Sequence, residues 1–391
     1  MRAAVLALAL LACAAPSGAQ APVFTALPVL EIAPSPAQTA RGGASTALAP
    51  RDPFAFLANP AHLGLAAHAP YATSSGLPGM TDWLNAFRYG SAALAGGVRR
   101  GPLALGAGVA QASLRSERRT LADGTPYAPE DRYWALGVGA GTTGAVRVAV
   151  GANARYIEST DAPRWDGEAF HVGTLRGASA DVGVLAQADV AALAGHPAFG
   201  TLRPALEVSA GYAQTHVGGT VRYSGGHAQA LPRTASLGWA VSTGLDLPLA
   251  DAPALRLVRF DATLQADRSL VFAHGDGRTG YAPLTGGALL AKAALGQGDE
   301  RTTGRRGLRV ELAETIALSQ GHLDGWGFSD VRTRGVEVSA AGVLKTAAAY
   351  SGHEALRRAA GHLDVRLTRA TLFAGTPEAS HLTGVAVTVR P

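Results

Sequence analysis

The stretch AVRVAVGANARYI, residues 145–157, alternates apolar and polar side chains with a period of two. Successive side chains of an extended strand point to opposite faces of the sheet. One face of this segment therefore carries Val, Ala and Tyr side chains, while the other carries polar residues such as Asn153 and Arg155. Such a strand needs an apolar medium on one side and a polar medium on the other.

The same alternation recurs along the chain and predicts fourteen strands. Their lengths cluster around or above the roughly 9–11 residues that a tilted strand needs to cross a bilayer, whereas soluble sheets use about 5–6. An even number of such strands predicts an all-β fold, a transmembrane antiparallel β-barrel of about 14 strands. The predicted strands cover residues 64–73, 84–97, 102–113, 132–142, 145–157, 177–190, 202–215, 233–247, 255–267, 286–297, 307–319, 330–344, 361–373 and 380–390.

The connections between the predicted strands alternate in length. Long polar segments follow odd-numbered strands, as at residues 158–176, while several that follow even-numbered strands are tight, as at residues 99–101. Outer-membrane barrels alternate long outside loops with short periplasmic turns in this way. A soluble, secreted β-sandwich or β-propeller is the alternative, but sandwich strands are shorter and a propeller shows a blade repeat of about 40 residues.

The composition is that of a chain with little water-facing surface. It is 47% hydrophobic and only 16% charged, with 49 glycines, which is low in charge for an exported soluble domain of this size. The formal net charge is +5, but the arginines are scattered singly rather than clustered. Because nucleic-acid-binding proteins concentrate such charge in a patch or stripe, we expect no nucleic-acid partner.

The N-terminus reads as an export signal. MRAAVLALALLAC has one positive charge and an apolar run too short to span a bilayer, and small residues permit cleavage after Ala19. We therefore predict a signal peptide at 1–19, an N-terminal segment at 20–63 and a barrel at 64–391. A lipoprotein signal at Cys13 is the alternative, although Leu11 stands where a smaller or β-branched residue is usual. Cys13 is the only cysteine, so ordinary cleavage leaves no disulfide and no Cys-ligated metal.

The segment ARGGASTALAPRDPFAFLANPAHLGL, residues 40–65, does not alternate. Asp52 is a good helix N-cap with Pro53 at the first helical position, and Asn59 before a proline is driven toward the extended conformation. Gly42 and Gly43 permit close backbone approach or positive φ. Because a barrel of about fourteen strands has a lumen wide enough to need water or a plug, we predict that this segment is a hatch inside or beneath the barrel.

This segment resembles the N-terminal hatch of FadL-type outer-membrane proteins, and within them the PorV/PorQ branch associated with type IX secretion. The family usually continues Asn-Pro-Ala with Gly, where this chain has His62. Such barrels commonly end on an aromatic residue, whereas this chain ends VTVRP, so Phe373 is the alternative insertion signal. The hatch motif comprises Arg41, Gly42, Gly43, Asp52, Pro53, Phe56, Asn59, Pro60 and Ala61, with Ala44 and Ala47–Ala49 also matching.

The resemblance implies two classes of function in the bacterial outer membrane, both in contact with lipid and lipopolysaccharide. The PorV/PorQ branch implies contact with exported cargo proteins and other secretion components, in support of secretion or surface attachment. FadL-type proteins imply a passive route for hydrophobic small molecules such as long-chain fatty acids. A transporter needs a continuous apolar pocket, so paired inward charges favour the first class. The residues predicted to face the lumen are Arg147, Asn153, Arg155, Asp261, Gln265, Asp267, Glu337 and Lys345.

No catalytic arrangement stands out in the sequence. The eleven histidines are dispersed without metal-ligand spacing, and no G-x-S-x-G motif occurs. Asp161, Asp166 and Asp276 fall in predicted loops, where Asp near Gly usually serves turn chemistry rather than calcium binding. We therefore predict that the protein is not an enzyme and has neither a cofactor nor a metal site.

Overall fold

The computed structural model describes residues 27–48, 53–68, 71–77, 87–116 and most of 119–389. Within these ranges no helix is both long and apolar enough to cross a membrane. The predicted signal peptide and Asp52 of the hatch motif lie outside the described residues. From residue 119 onward the undescribed positions are 121–123, 125, 161–163, 166–169, 172–173, 196–199, 223–227, 250–252, 274–278, 284–285, 327, 352 and 374–379.

Fourteen antiparallel strands of the described chain form one sheet that closes into a barrel. Each strand pairs with its neighbours in sequence, and β14 returns to β1, where Val389 lies opposite Tyr71. The strands are β1 (Tyr71–Leu77), β2 (Phe87–Arg100), β3 (Leu103–Ser116), β4 (Glu130–Thr142), β5 (Val146–Thr160), β6 (Thr174–Asp189), β7 (Arg203–Gly218), β8 (Thr234–Leu247), β9 (Leu255–Ser269), β10 (Thr302–Leu312), β11 (Ile316–Gly325), β12 (Phe328–Ser339), β13 (Leu363–Phe373) and β14 (Ser380–Val389).

Several helices and short strand pairs lie outside the fourteen-stranded sheet. Four loops carry small strand pairs, Arg119–Thr120 with Pro126–Tyr127, Arg164–Trp165 with Phe170–His171, Thr220–Arg222 with Ala228–Ala230, and Val271–Ala273 with Thr279–Tyr281. Two 3-10 helices cover Pro28–Leu30 and Pro60–His68. The α-helices are α1 (Pro36–Thr39), α2 (Ala55–Ala58), α3 (Val190–Leu193), α4 (Gly286–Leu295), α5 (Ala341–Ser351) and α6 (Glu354–His362).

The alternation of the sequence maps onto the two faces of the wall. In β5, Val146, Val148 and Val150 are exposed on the outside, whereas Asn153 and Arg155 are buried on the inside. The predicted fold class, an all-β transmembrane barrel with an N-terminal plug, is confirmed. An exposed apolar exterior and a polar interior are the arrangement that a barrel in lipid requires.

The connections separate the two ends of the barrel. The described parts of the connections 117–129, 161–173, 219–233 and 270–301 lie at the loop end, as does the short turn at Trp326. The turn end carries 101–102, 143–145 and 313–315, together with α3, the segment 248–254 and the helices α5 and α6. Long connections therefore predominate at the loop end, as predicted, whereas only three of the six connections at the turn end are short turns.

Two strand predictions were wrong, and their errors cancel in the count. The predicted strand at 286–297 is instead occupied by α4, which ends at Leu295. Its Ala- and Leu-rich sequence has high helix propensity and fits either period, so alternation was a poor guide. Residues 307–319 contain two strands separated by a turn, where Ala313 and Glu314 have φ near 49° and 50°. Such turns usually carry Gly or Asn, so the sequence gives no signal for this one.

Two predicted boundaries also move. The 3-10 helix of the hatch continues to His68 and the first strand begins at Tyr71, whereas the prediction started that strand at residue 64. The twelfth strand ends at Ser339, which places Lys345 in α5 at the turn end rather than on a lumen-facing strand. The Lys345 Nζ atom lies 2.5 Å from Glu314 Oε2 and donates to the Ala254 carbonyl at 2.8 Å.

The described part of the hatch, residues 27–48 and 53–68, lies inside the barrel and is here called the plug. Leu27 and Leu30 belong to an apolar cluster with Tyr89 and Tyr133 near the loop end. Helix α1 contacts β12, β13 and β14, and the 3-10 helix Pro60–His68 contacts β2 through β6. The plug therefore passes around the lumen and touches both halves of the wall.

Inward-facing glycines lie at many of the points where the plug approaches the wall most closely. A Cβ atom on Gly106 would lie 2.1 Å from the Leu63 carbonyl oxygen, and one on Gly183 would lie 2.0 Å from Asn59 Oδ1. The same crowding occurs on the other side of the barrel, where a Cβ on Gly321 would lie 2.0 Å from the Gly42 nitrogen. Glycine in a strand often marks such close approach of another backbone. Further glycines of this kind are Gly139, Gly151, Gly211 and Gly307, while at Gly335 the close neighbour is the Ala40 side chain.

We predict that Gly106→Ala lowers the free energy of unfolding by about 1–3 kcal/mol, because the added methyl group overpacks the plug against β3. Gly90→Ala is the matched control, since its Cβ would meet only Ser113 Oγ at 3.9 Å. Urea unfolding of the refolded proteins, followed by heat-modifiable gel mobility, measures both. Equal stability of the two variants would contradict tight packing of the plug.

Candidate functional site: the plug and its lumen wall

Asn59 joins two parts of the plug to the barrel wall. Its side chain is fully buried, and Nδ2 donates to the carbonyl oxygens of Thr46 at 2.8 Å and Val184 at 3.1 Å. Its Oδ1 accepts from the Ala61 backbone nitrogen at 3.1 Å. Asn59 itself is extended, as expected before Pro60. The Asn-Pro turn is thus a three-way junction between both plug segments and β6.

The double-glycine turn forms a second junction on the opposite side of the lumen. Gly42 and Gly43 both adopt the left-handed conformation, with φ of 66° and 71°, as the sequence analysis allowed. The Gly42 nitrogen donates to Thr333 Oγ1 at 3.0 Å, and its carbonyl accepts from Arg305 Nη1 at 3.0 Å. Side chains at these positions would collide with His322 backbone atoms or the Arg305 side chain.

A buried ion pair supports the middle of the plug. Arg155 Nε and Nη2 both donate to Asp181 Oδ2, at 2.9 and 2.7 Å, and both side chains are almost fully buried. Arg155 Nη2 also donates to the Leu57 carbonyl at 3.2 Å, and Asn153 Nδ2 donates to the Phe56 carbonyl at 2.9 Å. Because a buried charge is costly unless paired and hydrogen-bonded, these contacts hold the plug at a defined depth.

Gln265 and Asp267, both on β9, connect the wall to the plug through hydrogen bonds and an ion pair. Gln265 Oε1 accepts from the Thr46 nitrogen at 2.9 Å, and its Nε2 donates to Asp267 Oδ1 at 2.7 Å. Asp267 in turn pairs with Arg305, which binds the Gly42 carbonyl. Two predicted lumen residues and one arginine that the sequence analysis missed therefore hold Thr46 and the double-glycine turn of the plug.

A second charge network lines the wall below α1. Arg309 contacts Glu311 at 3.1 Å and Glu337 at 2.8 Å, and Arg366 contacts Glu337 at 3.0 Å and Asp364 at 2.6 Å. Asp261 accepts from Arg259 Nε at 2.7 Å and Ser242 Oγ at 2.6 Å. The network thus has three arginines and four carboxylates.

The plug's Arg41 lies beside this network. It lines one cavity together with Arg259, Arg309 and Arg366, and two of the network's carboxylates, Asp261 and Glu337, line the same cavity. The cavity measures about 20 Å³, which is room for about one water molecule. A hydrophobic ligand cannot occupy this cavity.

The remaining residues predicted for the hatch motif and the lumen are Arg147, Phe56 and Pro53, and their side chains do not belong to the networks described above. Arg147 lies near the turn end and pairs with Glu207 of β7. Phe56 is buried in the apolar cluster of the plug and wall, where Gly108 and Gly137 leave room for its ring. Helix α2 begins at Ala55 with Phe54 as its N-cap, so Pro53 lies before the helix and not at its first position as predicted. Among the described residues no group of three or more His, Cys, Asp or Glu is arranged to hold a metal ion.

His62, which replaces the family's glycine, has a defined place in the plug. Its Nε2 atom lies 3.0 Å from the Ser45 carbonyl oxygen, which ties the two plug segments together a second time. Burial lowers the pKa of His62 to about 4 from its usual 6.5, and the positive charge of Arg41 acts in the same direction. The imidazole is therefore neutral at physiological pH.

Comparisons with known proteins give distant matches. No family model matches the chain, and no curated protein matches it. Among solved structures, the CymD monoaromatic hydrocarbon channel is 11% identical, with a TM-score of 0.43 over 94% of this chain and 99% of that one. The Ralstonia pickettii toluene transporter TbuX is 13% identical, with a TM-score of 0.42 over 91% and 98%.

A third match is the translocator domain of the autotransporter NalP from Neisseria meningitidis. It is 14% identical, with a TM-score of 0.37 over 82% of this chain and 87% of that one. Similarities this low carry no argument about family or function, and none of these three structures is a PorV or PorQ protein. The fold and site themselves define the class, an antiparallel β-barrel with an internal N-terminal plug.

We predict that replacing Asn59 and Pro60 together by alanine leaves the barrel folded but loosens the plug. The change leaves the Thr46 and Val184 carbonyls buried without their donor, at a cost of about 1–3 kcal/mol. Leakage of a small solute from liposomes containing the variant measures the loosening. Leakage no greater than for the unaltered protein would count against this role, and Gly90→Ala serves as the folded control.

We predict that plug stability falls as the pH drops from about 6.5 towards 4. In this window an unfolded His62 binds a proton that the native protein excludes, so protonation favours unfolding by up to about 1.4 kcal/mol per pH unit. Subtracting the pH profile of His62→Gln from that of the unaltered protein isolates this contribution. Parallel profiles for the two proteins would show that His62 is not held neutral.

Proposed function

We propose that the protein is a bacterial outer-membrane β-barrel with a closed lumen that works by protein–protein contact. In this proposal it is of the PorV/PorQ type and supports the secretion or surface attachment of exported proteins. The observation that carries the proposal is the close contact between the plug and inward glycines on eight of the ten strands from β3 to β12, with β8 and β9 as the exceptions. Because the plug is packed this closely, we assign partner binding to the loops at one end of the barrel.

The outside of the wall supports the membrane location. Val98, Leu136 and Leu318 are 65%, 58% and 58% exposed and point away from the lumen. Apolar area of this extent would be unfavourable in water by about 25 cal/mol per Å². Trp134 and Tyr156 form an outward pair near the loop end, with ring centroids 5.8 Å apart. Aromatic residues at this level are typical of the girdle at the membrane interface.

The charged lumen supports contact rather than conduction. Ligand pockets for hydrophobic molecules are largely apolar and measure about 300–1,000 Å³. The cavity beside Arg41 is far smaller, and six of its twelve lining residues are arginines or carboxylates. The proposed partners are therefore exported proteins and other secretion components at the loop end, with lipid and lipopolysaccharide around the wall.

A passive transporter of hydrophobic small molecules, such as long-chain fatty acids, is the second candidate. The apolar cluster near the loop end favours it, because Leu27 and Leu30 of the plug pack there against Leu114, Leu231 and Tyr133. Movement of the 3-10 helix Pro28–Leu30 would expose an apolar surface inside the barrel. In that case the plug would act as a gate.

We predict that purified, refolded protein in liposomes takes up no labelled long-chain fatty acid above the protein-free rate. A barrel with an open lumen, reconstituted in the same lipid, provides the positive control, and heat-modifiable mobility verifies folding. Saturable uptake by the folded protein would contradict the closed lumen and favour the transporter.

The proposed protein–protein contact is tested separately by photo-crosslinking in living cells. A photo-crosslinking residue at Thr120, in a loop-end strand pair, is expected to capture exported proteins that share a C-terminal sorting domain. The same residue at Arg100, at the turn end, is the matched control. Equal capture at both positions, or capture of no exported protein at Thr120, would contradict the proposed role.

A further inference from the structure

Helix α4 packs on the outer surface of the barrel rather than in the lumen. Ala235 of β8 and Ala266 of β9 lie in the outward-facing rows of their strands, which also carry the exposed Trp239 and Phe260. The helix covers these rows near the loop end. The buried cluster between the helix and the wall comprises Leu289 and Ala293 of α4 with Ala235, Ala266 and Leu270, and Tyr212 and Leu237 pack against it.

The chain after α4 is fitted closely to the same surface. Gly296 has φ of 58°, and its carbonyl accepts from Arg306 Nε at 3.2 Å. A Cβ atom on Gly304 of β10 would lie 2.4 Å from the Gln297 carbonyl carbon, so this strand position also needs glycine. The segment is therefore an ordered part of the wall and not an excursion into solvent.

The opposite face of α4 is apolar and uncovered. Leu290 and Leu295 are 52% and 57% exposed, and Ala291 and Ala294 beside them are exposed as well. Lys292 is the single ionisable residue of the helix. Its Nζ donates to the Gly298 carbonyl at 3.3 Å and lies 3.7 Å from Asp299, so its charge is satisfied within the segment.

The uncovered face continues the apolar exterior of the wall. Arg306 lies opposite Leu264 in the β9–β10 register, and the next outward positions of β10 towards the turn end are the exposed Leu308 and Val310. Whatever covers those side chains also reaches α4. On a barrel in a membrane, that neighbour is the acyl chains of lipid, because a helix with an apolar face inserts at the boundary between headgroups and acyl chains.

We propose that α4 is inserted in the outer leaflet and anchors the loop 270–301 to the lipid. This inference rests on the membrane location proposed above and goes beyond the contact function. Its partner is the acyl region of lipid, whether from phospholipid or lipopolysaccharide. The alternatives are that water or a second copy of this chain covers this face of α4. The test below distinguishes these alternatives from lipid.

The anchor fixes a larger loop surface. The strand pair Val271–Ala273 with Thr279–Tyr281 precedes α4 and docks on the neighbouring loop. Tyr281 Oη donates to the Gly219 carbonyl at 3.0 Å and accepts from the Leu231 nitrogen at 3.0 Å. Lipid contact on one side and these hydrogen bonds on the other hold two loops as one platform at the loop end.

The test places a polarity-sensitive fluorophore on single cysteines in a Cys13→Ser background. Leu290→Cys and Leu295→Cys report on α4, Leu308→Cys reports on the wall, and Tyr350→Cys, 89% exposed at the turn end, is the aqueous control. The folded proteins are reconstituted in phosphatidylcholine vesicles with or without brominated acyl chains. We expect brominated lipid to remove a similar fraction of fluorescence at 290, 295 and 308, and none at 350.

Each outcome bears on one claim. Quenching at 308 without quenching at 290 and 295 would overturn the lipid anchor and leave the membrane location intact. Absence of quenching at 308 would contradict the membrane location itself. Disulfide cross-linking between two copies through Leu290→Cys, together with absent quenching, would show that a second copy covers the helix and would also overturn the proposal.

Discussion

The structure depends on one steric constraint, the fit of the plug backbone against inward glycines. A barrel of fourteen strands encloses more space than the side chains of its wall can fill. Here the chain fills that space with its own N-terminal segment, and the segment lies so close to the wall that a Cβ atom would collide at Gly106, Gly183 and Gly321. Glycine weakens a strand in isolation, but in this wall each such position gains a packed neighbour.

The polar interior follows from that constraint. Plug carbonyls and amides withdrawn from water need partners, and the wall supplies them through Arg155, Gln265 and Arg305. Those partners are themselves charged or polar, so they pair with carboxylates such as Asp181 and Asp267. Hydrogen bonds and ion pairs therefore hold the plug and the wall together across the lumen. The proposed contact function uses the exposed loop platform and needs no route for solutes through the barrel.

The sequence predicts what depends on local pattern and neighbouring residues. Alternation identified both faces of β5, and the order Gly-Gly and Asn-Pro indicated the two turns that hold the plug. It could not show which wall residues meet those turns, because Asn59 with Val184 and Gly42 with Thr333 join positions distant in the chain. Periodicity also failed for α4 and Lys345, where small apolar residues fit a strand and a helix equally well.

The most direct measurement of the central claim is hydrogen exchange of the plug amides in the folded, lipid-reconstituted protein. Mass spectrometry of peptides covering 38–48 and 54–65 compares their exchange with that of β5. If the plug is an integral part of the barrel, both peptides exchange as slowly as the strand. Exchange of either peptide as fast as the loop 117–129 would show a plug that opens freely, which contradicts the closed lumen and favours a gate.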